Sequence, residues 1–147
     1  MMRCMDDVTL RASSDADAAW IADLRAEVMR PDLERLGRFD PVWVRERFLR
    51  GFVPANTRLI GVDGETVGSI AVRTTTHEHW LEHFYLAPAH QGRGIGSELL
   101  RRVRAEPRAA LPWRLNVLQG SGARRLYERH GFVFEREDEV DVWLVRA

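Results

Sequence analysis

Lysine is absent: all 22 basic residues of the 147-residue chain are arginine. A Walker-type phosphate loop, a pyridoxal-phosphate Schiff base and the lysine–glutamate pair of protein kinases each need a lysine, so those chemistries are excluded. Cysteine is nearly absent. Cys4 is the single one, so no intrachain disulfide can form and a reducing cytoplasm fits best. Near the terminus, Cys4 reads as a bystander thiol. No apolar run approaches the ~20 residues that cross a bilayer. Residues 1–7 carry two acids and no basic-then-apolar pattern, so they do not read as a signal peptide. Net charge is lacking too: 22 basic residues stand against 22 acidic ones. Residues 93–129 hold nine arginines and three glutamates. The overall balance and the acidic tail beyond them still disfavour a nucleic-acid binder.

What is present suits one compact α/β domain over residues 1–147, with 45% hydrophobic content. A first strand is expected at 8–12, followed by Ser13 and Ser14 as helix caps. Trp20, Leu24 and Val28 continue at helical spacing until Pro31 interrupts. Asp40-Pro41 opens a second helix that buries Val44, Phe48 and Leu49. Strands at 57–62 and 66–74 flank an Asp63-Gly64 hairpin turn of the I′ kind. A further strand, 80–87, ends at Pro88. A helix at 94–104, a strand at 113–118, a helix at 123–130 and two closing strands at 132–135 and 140–145 complete the chain. Repeats, low-complexity tracts and linkers are missing.

The most informative stretch is Gln91-Gly92-Arg93-Gly94-Ile95-Gly96, between a strand and a helix. Three alternating glycines let the backbone curl until successive amides point into one concavity. That concavity lies on the positive end of the following helix, an anion site built without lysine, and Arg93 adds charge at its rim. A dinucleotide-binding loop would instead close a first strand, with an acid about 20 residues later ending the next. Neither condition is met.

From Phe84 through Tyr85, Leu86 and the Gln91–Gly96 loop to Leu99 and Leu100, the sequence resembles the GNAT superfamily of N-acetyltransferases. A second match runs from Leu115-Asn116-Val117 to Ala123-Arg124-Arg125-Leu126-Tyr127-Glu128-Arg129-His130-Gly131-Phe132. The resemblance implies an α/β (α+β) fold: a mixed, mostly antiparallel sheet of about six to seven strands, flanked by about four helices, with splayed fourth and fifth strands. It implies acetyl-CoA as co-substrate and transfer of acetyl to an amine. The pantetheine arm is expected on the exposed backbone of Phe84, Tyr85 and Leu86, where a bulge frees N–H and C=O groups. The diphosphate is expected on the loop, and the 3′-phosphate within reach of Arg124 and Arg125. Tyr127 matches the tyrosine that protonates the departing thiolate. The family commonly has asparagine where Gly120 stands here, with Ser121 as a substitute cap or polar contact. Self-association is compatible with the family, though no stretch marks an interface.

Attack on a thioester needs a free amine and therefore a base. Period-two alternation places Trp80, Glu82, Phe84 and Leu86 on one face and Leu81, His83 and Tyr85 on the other. Glu82, between Trp80 and Phe84, is the candidate base, and His83 the competitor on the opposite face. His77, His79 and His83 share parity, but a flat strand does not converge zinc ligands, so no metal is expected. The segment from Arg30 to Phe52 should wall the acceptor site, with Glu34 and Asp40 for a cationic amine and Phe39, Trp43 and Phe48 for an apolar wall. A small-molecule amine, an aminoglycoside-like drug, a polyamine and a peptide N-terminus all remain open. The competing class is a non-catalytic acyl-CoA-binding sensor.

Overall fold

The computed structural model describes residues 7–147; the reading of Cys4 falls outside them. Strand β1 (Val8–Ala12) leads through a 3-10 turn, Asp15–Asp17, into helix α1 (Ala18–Arg35). Ser14 starts that turn and not the helix itself: its amide donates to Asp17 Oδ2 at 2.9 Å. Pro31, expected to interrupt, lies inside α1. It removes one amide donor, yet the ladder resumes when the Leu36 amide reaches the Asp32 carbonyl at 3.0 Å. Leu33, 3% exposed, pins the last turn into the core. Helix α2 (Pro41–Gly51) begins as read. Asp40 Oδ1 accepts from the Val42 and Trp43 amides at 3.0 and 3.1 Å. Val44 and Phe48 are buried, whereas Leu49 faces outward at 47% exposure.

Next come β2 (Thr57–Val62), β3 (Glu65–Thr74), β4 (His79–Leu86), α3 (Ile95–Ala105), β5 (Trp113–Leu118), α4 (Ala123–Arg129), β6 (Val133–Glu137) and β7 (Asp141–Arg146). Asp63 and Gly64, with φ of 51° and 85°, make the expected β2–β3 turn. The seven strands form one sheet in the order β1-β2-β3-β4-β5-β7-β6. All neighbours are antiparallel except β4 and β5. On one face, Leu99, Leu100 and Val103 of α3 pack with Ile60, Ile70, Leu115 and Leu144. On the other, Ile21 and Ala22 of α1 and Phe48 of α2 pack on Leu59.

Two irregularities position everything that follows. First, β4 and β5 pair only at His79↔Trp113 and Trp80↔Arg114. Beyond Trp80 the two strands part into a wedge. Second, the β3–β4 register slips: Ala71 faces Glu82, but Ser69 faces Tyr85. Three steps along β4 match two along β3, a β-bulge at His83 and Phe84. His83 takes the left-handed region at φ 48°, which costs about 1–2 kcal/mol for a residue with a Cβ. The bulge is held from below. Ser69 Oγ donates to the His83 carbonyl at 2.8 Å. At Gly68 a Cβ would stand 2.1 Å from the Tyr85 carbonyl oxygen, so only glycine lets the strands approach.

The extra residue inverts the expected faces. Glu82 does not share a side with Phe84 and Leu86. The register sets Glu82 and Tyr85 on the face covered by α1 and α2, while Leu81, Phe84 and Leu86 pack in the α3-side core. Strict alternation fails wherever a bulge intervenes.

Candidate active site

The glycine loop follows the β4 strand where it has left β5. Gly92 and Gly94 have φ of 73° and 81°, and beyond their chain neighbours no described residue comes within 4 Å of where a Cβ would stand. Gly94 is the N-cap of α3, so the helix's unsatisfied amides open toward the loop. Gln91, Arg93 and both glycines are exposed, while Ile95 is buried and anchors the first turn. Gln91 Nε2 donates to the Leu86 carbonyl at 2.9 Å, tying the loop to the end of β4. Gly96 serves packing: a Cβ there would meet Leu126, Leu86 and Phe84 at 3.4, 3.8 and 3.9 Å. Loop, wedge strand and α4 therefore converge at one point.

Tyr127 projects from α4 into that convergence. It is 7% exposed and stacks edge-on against Phe132 with centroids 5.8 Å apart. Its hydroxyl takes no hydrogen-bond partner among the described residues. Burial, and then the neighbouring Tyr85, push its phenol above the ordinary range, so the proton stays on oxygen at any working pH.

On the α1 face of β4 lies a second polar group. Arg25, 8% exposed, donates from Nη1 to the Tyr85 hydroxyl at 3.1 Å. That hydroxyl's own proton is thereby directed at His83 Nδ1, 3.2 Å away. Burial, and then the Arg25 charge, lower the His83 pKa from 6.5 to about 4, so the ring is neutral at pH 7. Burial likewise raises the Tyr85 phenol. Glu82 is ion-paired with Arg73, Oε1 lying 2.6 Å from Nη2 and 2.8 Å from Nε.

The residues expected to wall an acceptor are mostly engaged elsewhere. Glu34 pairs with Arg30 at 3.3 Å. Asp40 caps α2, Phe48 is core, and Trp43 is 44% exposed. The Phe39 ring lies 4.9 Å beneath the Arg30 guanidinium. His79 is buried with its ring nitrogens on Thr74 Oγ1 and the Ala109 carbonyl, both at 2.8 Å.

A family model described as an acetyltransferase (GNAT) domain matches residues 55–134, more than half of the 147-residue chain. The chain belongs to the GNAT acetyltransferase family. As a member it is an N-acetyltransferase that uses acetyl-CoA. Among solved structures, the PaiA N-acetyltransferase of Thermoplasma acidophilum, in complex with coenzyme A, superposes with a TM-score of 0.79 at 20% identity. The match covers 95% of this chain and 98% of that one. An acetyltransferase from Thermus thermophilus gives 0.74 at 18% identity over 95% and 96%. Arabidopsis thaliana Naa50, bound to the bisubstrate analogue CoA-Ac-MVNAL, gives 0.66 at 18% identity over 95% and 98%. No curated protein matches the sequence significantly.

In this acetyltransferase the departure at position 120 lies beside Arg35. Gly120 has φ of 77°, and a Cβ there would sit 2.8 Å from Arg35 Nη2. Arg35 also donates to the Gln119 carbonyl at 2.6 Å, so the end of α1 lies over the end of β5, and a side chain at 120 would displace the guanidinium. Ser121 Oγ accepts from the Ala123 amide at 3.2 Å in the turn before α4, whose N-cap is Gly122. Arg124 is held locally, 3.3 Å from Glu128 and 5.7 Å from the Phe134 ring.

Sequence reasoning missed two features. One is Arg25, which reads as an ordinary residue on an amphipathic helix. The other is a basic group on α3 and α4: Ser97 Oγ meets His130 Nε2 at 2.6 Å and accepts from Arg101 at 3.2 Å. Arg104 lies 6.0 Å from the Phe132 ring, and Arg146 packs against Gly131. Among the described residues, neither these three arginines nor Arg129 takes a carboxylate partner.

Proposed function

We propose that this enzyme moves the acetyl group directly from acetyl-CoA to a primary amine, both bound together at the wedge. The observation that carries the reading is the open glycine loop at the α3 N-terminus, placed where β4 leaves β5. Main-chain amides of Gln91–Gly96 receive the diphosphate. The free edge of β4 at Phe84, Tyr85 and Leu86 receives the peptide-like pantetheine. The arginines around His130, with Arg101 about two turns along α3 from the loop, favour the cofactor's charged half.

The chemistry divides between the two faces. An ammonium gives one proton to Glu82, the carboxylate on the α1 face, oriented by Arg73. The free nitrogen attacks the thioester carbonyl, and the adduct collapses with cleavage of the carbon–sulfur bond. Tyr127 protonates the sulfur and regains a proton from the nitrogen, which leaves an amide and free CoA. Free-thiol release from acetyl-CoA against an amine panel tests this. Tyr127→Phe should lower kcat about 100-fold and Glu82→Gln about 10-fold or more, with CoA affinity kept in both. Unchanged turnover in both variants would remove Tyr127 and Glu82 from the chemistry, and CoA binding without thiol release for any amine would return the chain to the sensor reading.

A further inference from the structure

Arg25 is a buried cation with no carboxylate partner among the described residues. It is 8% exposed, its Nη1 is used by Tyr85, and its buried Nε has no hydrogen-bond partner among the described residues. A guanidinium carries five donors and cannot shed its charge, so a site that withdraws it from water ordinarily supplies a carboxylate. None is supplied here by the described residues. Glu82, the acid on the same face, is already held by Arg73, and His83 and Tyr85 are uncharged neighbours.

The place matters as much as the charge. Helix α1 spans the wedge. It touches β4 through Arg25 and Tyr85, and it packs Ala26 and Leu33 in the cluster that Leu118 of β5 joins. The guanidinium is thus tied to the strand where β4 and β5 have parted, on the side of the sheet away from Tyr127. Three of the four acids of α1 are engaged with arginines: Asp23 pairs with Arg45, Asp32 with Arg35 and Glu34 with Arg30.

We propose that the acceptor is a small primary amine bearing a carboxylate, as an α-amino acid does, and that Arg25 binds that carboxylate. The proposal rests on the acyl-transfer reading of the site and names its substrate class. Arg25 grips one end of the acceptor and leaves the amine facing the thioester and Glu82. Its planar fork suits a carboxylate in two-point contact, which a lysine would not reproduce.

The test uses the full chain and thiol release from acetyl-CoA. The probes are the twenty α-amino acids, each matched with its carboxamide and its decarboxylated amine. At least one amino acid should exceed both of its neutral partners in kcat/KM by 10-fold or more. Arg25→Gln should erase that preference through KM, costing the amino acid at least about 10-fold more than its neutral partners, and be only partly rescued by Arg25→Lys. Thermal stabilisation by CoA reports whether each variant still folds. Equal rates for acid and neutral partners would overturn the proposal. So would the absence of any acetylated amino acid, or an Arg25→Gln loss equal for both classes. If CoA fails to stabilise even the unaltered protein, the acyl-transfer reading itself falls, a result distinct from any of these.

Discussion

The two ends of the wedge are built from different materials. At the proposed phosphate end, function would lie in the main chain: Gly92 and Gly94 take φ of 73° and 81° and face open space. At the proposed acceptor end it would lie in side chains brought together from α1, β3 and β4: Arg25, Tyr85, His83, Glu82 and Arg73. A main-chain site needs only local glycine spacing. A side-chain site needs the global register, and here the register turns on one extra residue.

That contrast can be broken most severely at Gly68. Gly68→Ala forces a methyl toward the Tyr85 carbonyl at 2.1 Å, which costs about 3 kcal/mol if the strands must separate. A large fall in the urea midpoint is expected, together with loss of the bulge that sets the acceptor face. A midpoint within error of the unaltered protein would mean that β4 does not depend on this close approach.

His83 sharpens the comparison through pH. Its folded pKa, about 4, lies below the ordinary 6.5. The unfolded chain therefore binds the proton first as pH falls. Stability from this group is complete above pH 6.5 and drains away as pH drops toward 4, by up to about 3 kcal/mol. The lowered pKa of His130 adds a decline of the same sign. His83→Gln should show a clearly shallower loss between pH 7.5 and 4.5 in urea titrations. Parallel curves would remove His83 as a buried neutral ring.

The phosphate end is expected to respond in affinity alone. Changing Gly92 and Gly94 together to valine puts two β-branched residues at φ of 73° and 81°, at about 1–2 kcal/mol each. CoA should bind roughly 30-fold more weakly, with little change in acceptor preference. Calorimetric titration with CoA reads it directly, and unchanged affinity would separate the loop from the cofactor.

Legibility follows the same division. The loop, the Asp40 cap, the Asp63-Gly64 turn and the α3 stripe of Leu99, Leu100 and Val103 obey local rules, and each sits where periodicity and turn chemistry put it. Pro31 misleads because tertiary burial of Leu33 outweighs one lost hydrogen bond. Alternation puts Glu82 on the wrong face because nothing local announces a bulge whose left-handed residue is a histidine. Gly68 is the available signal: a glycine in the middle of a strand marks close backbone approach. Arg25 carries no signal at all, since its meaning comes from a partner 60 residues away in sequence.

The account rests on cofactor placement, and a crystal of the protein grown with CoA tests it most directly. The diphosphate oxygens should lie within about 3 Å of the loop amides between Gln91 and Gly96, with the pantetheine between β4 and β5 and the sulfur beside Tyr127. Density for CoA elsewhere, or a wedge closed by continued β4–β5 pairing, would contradict it.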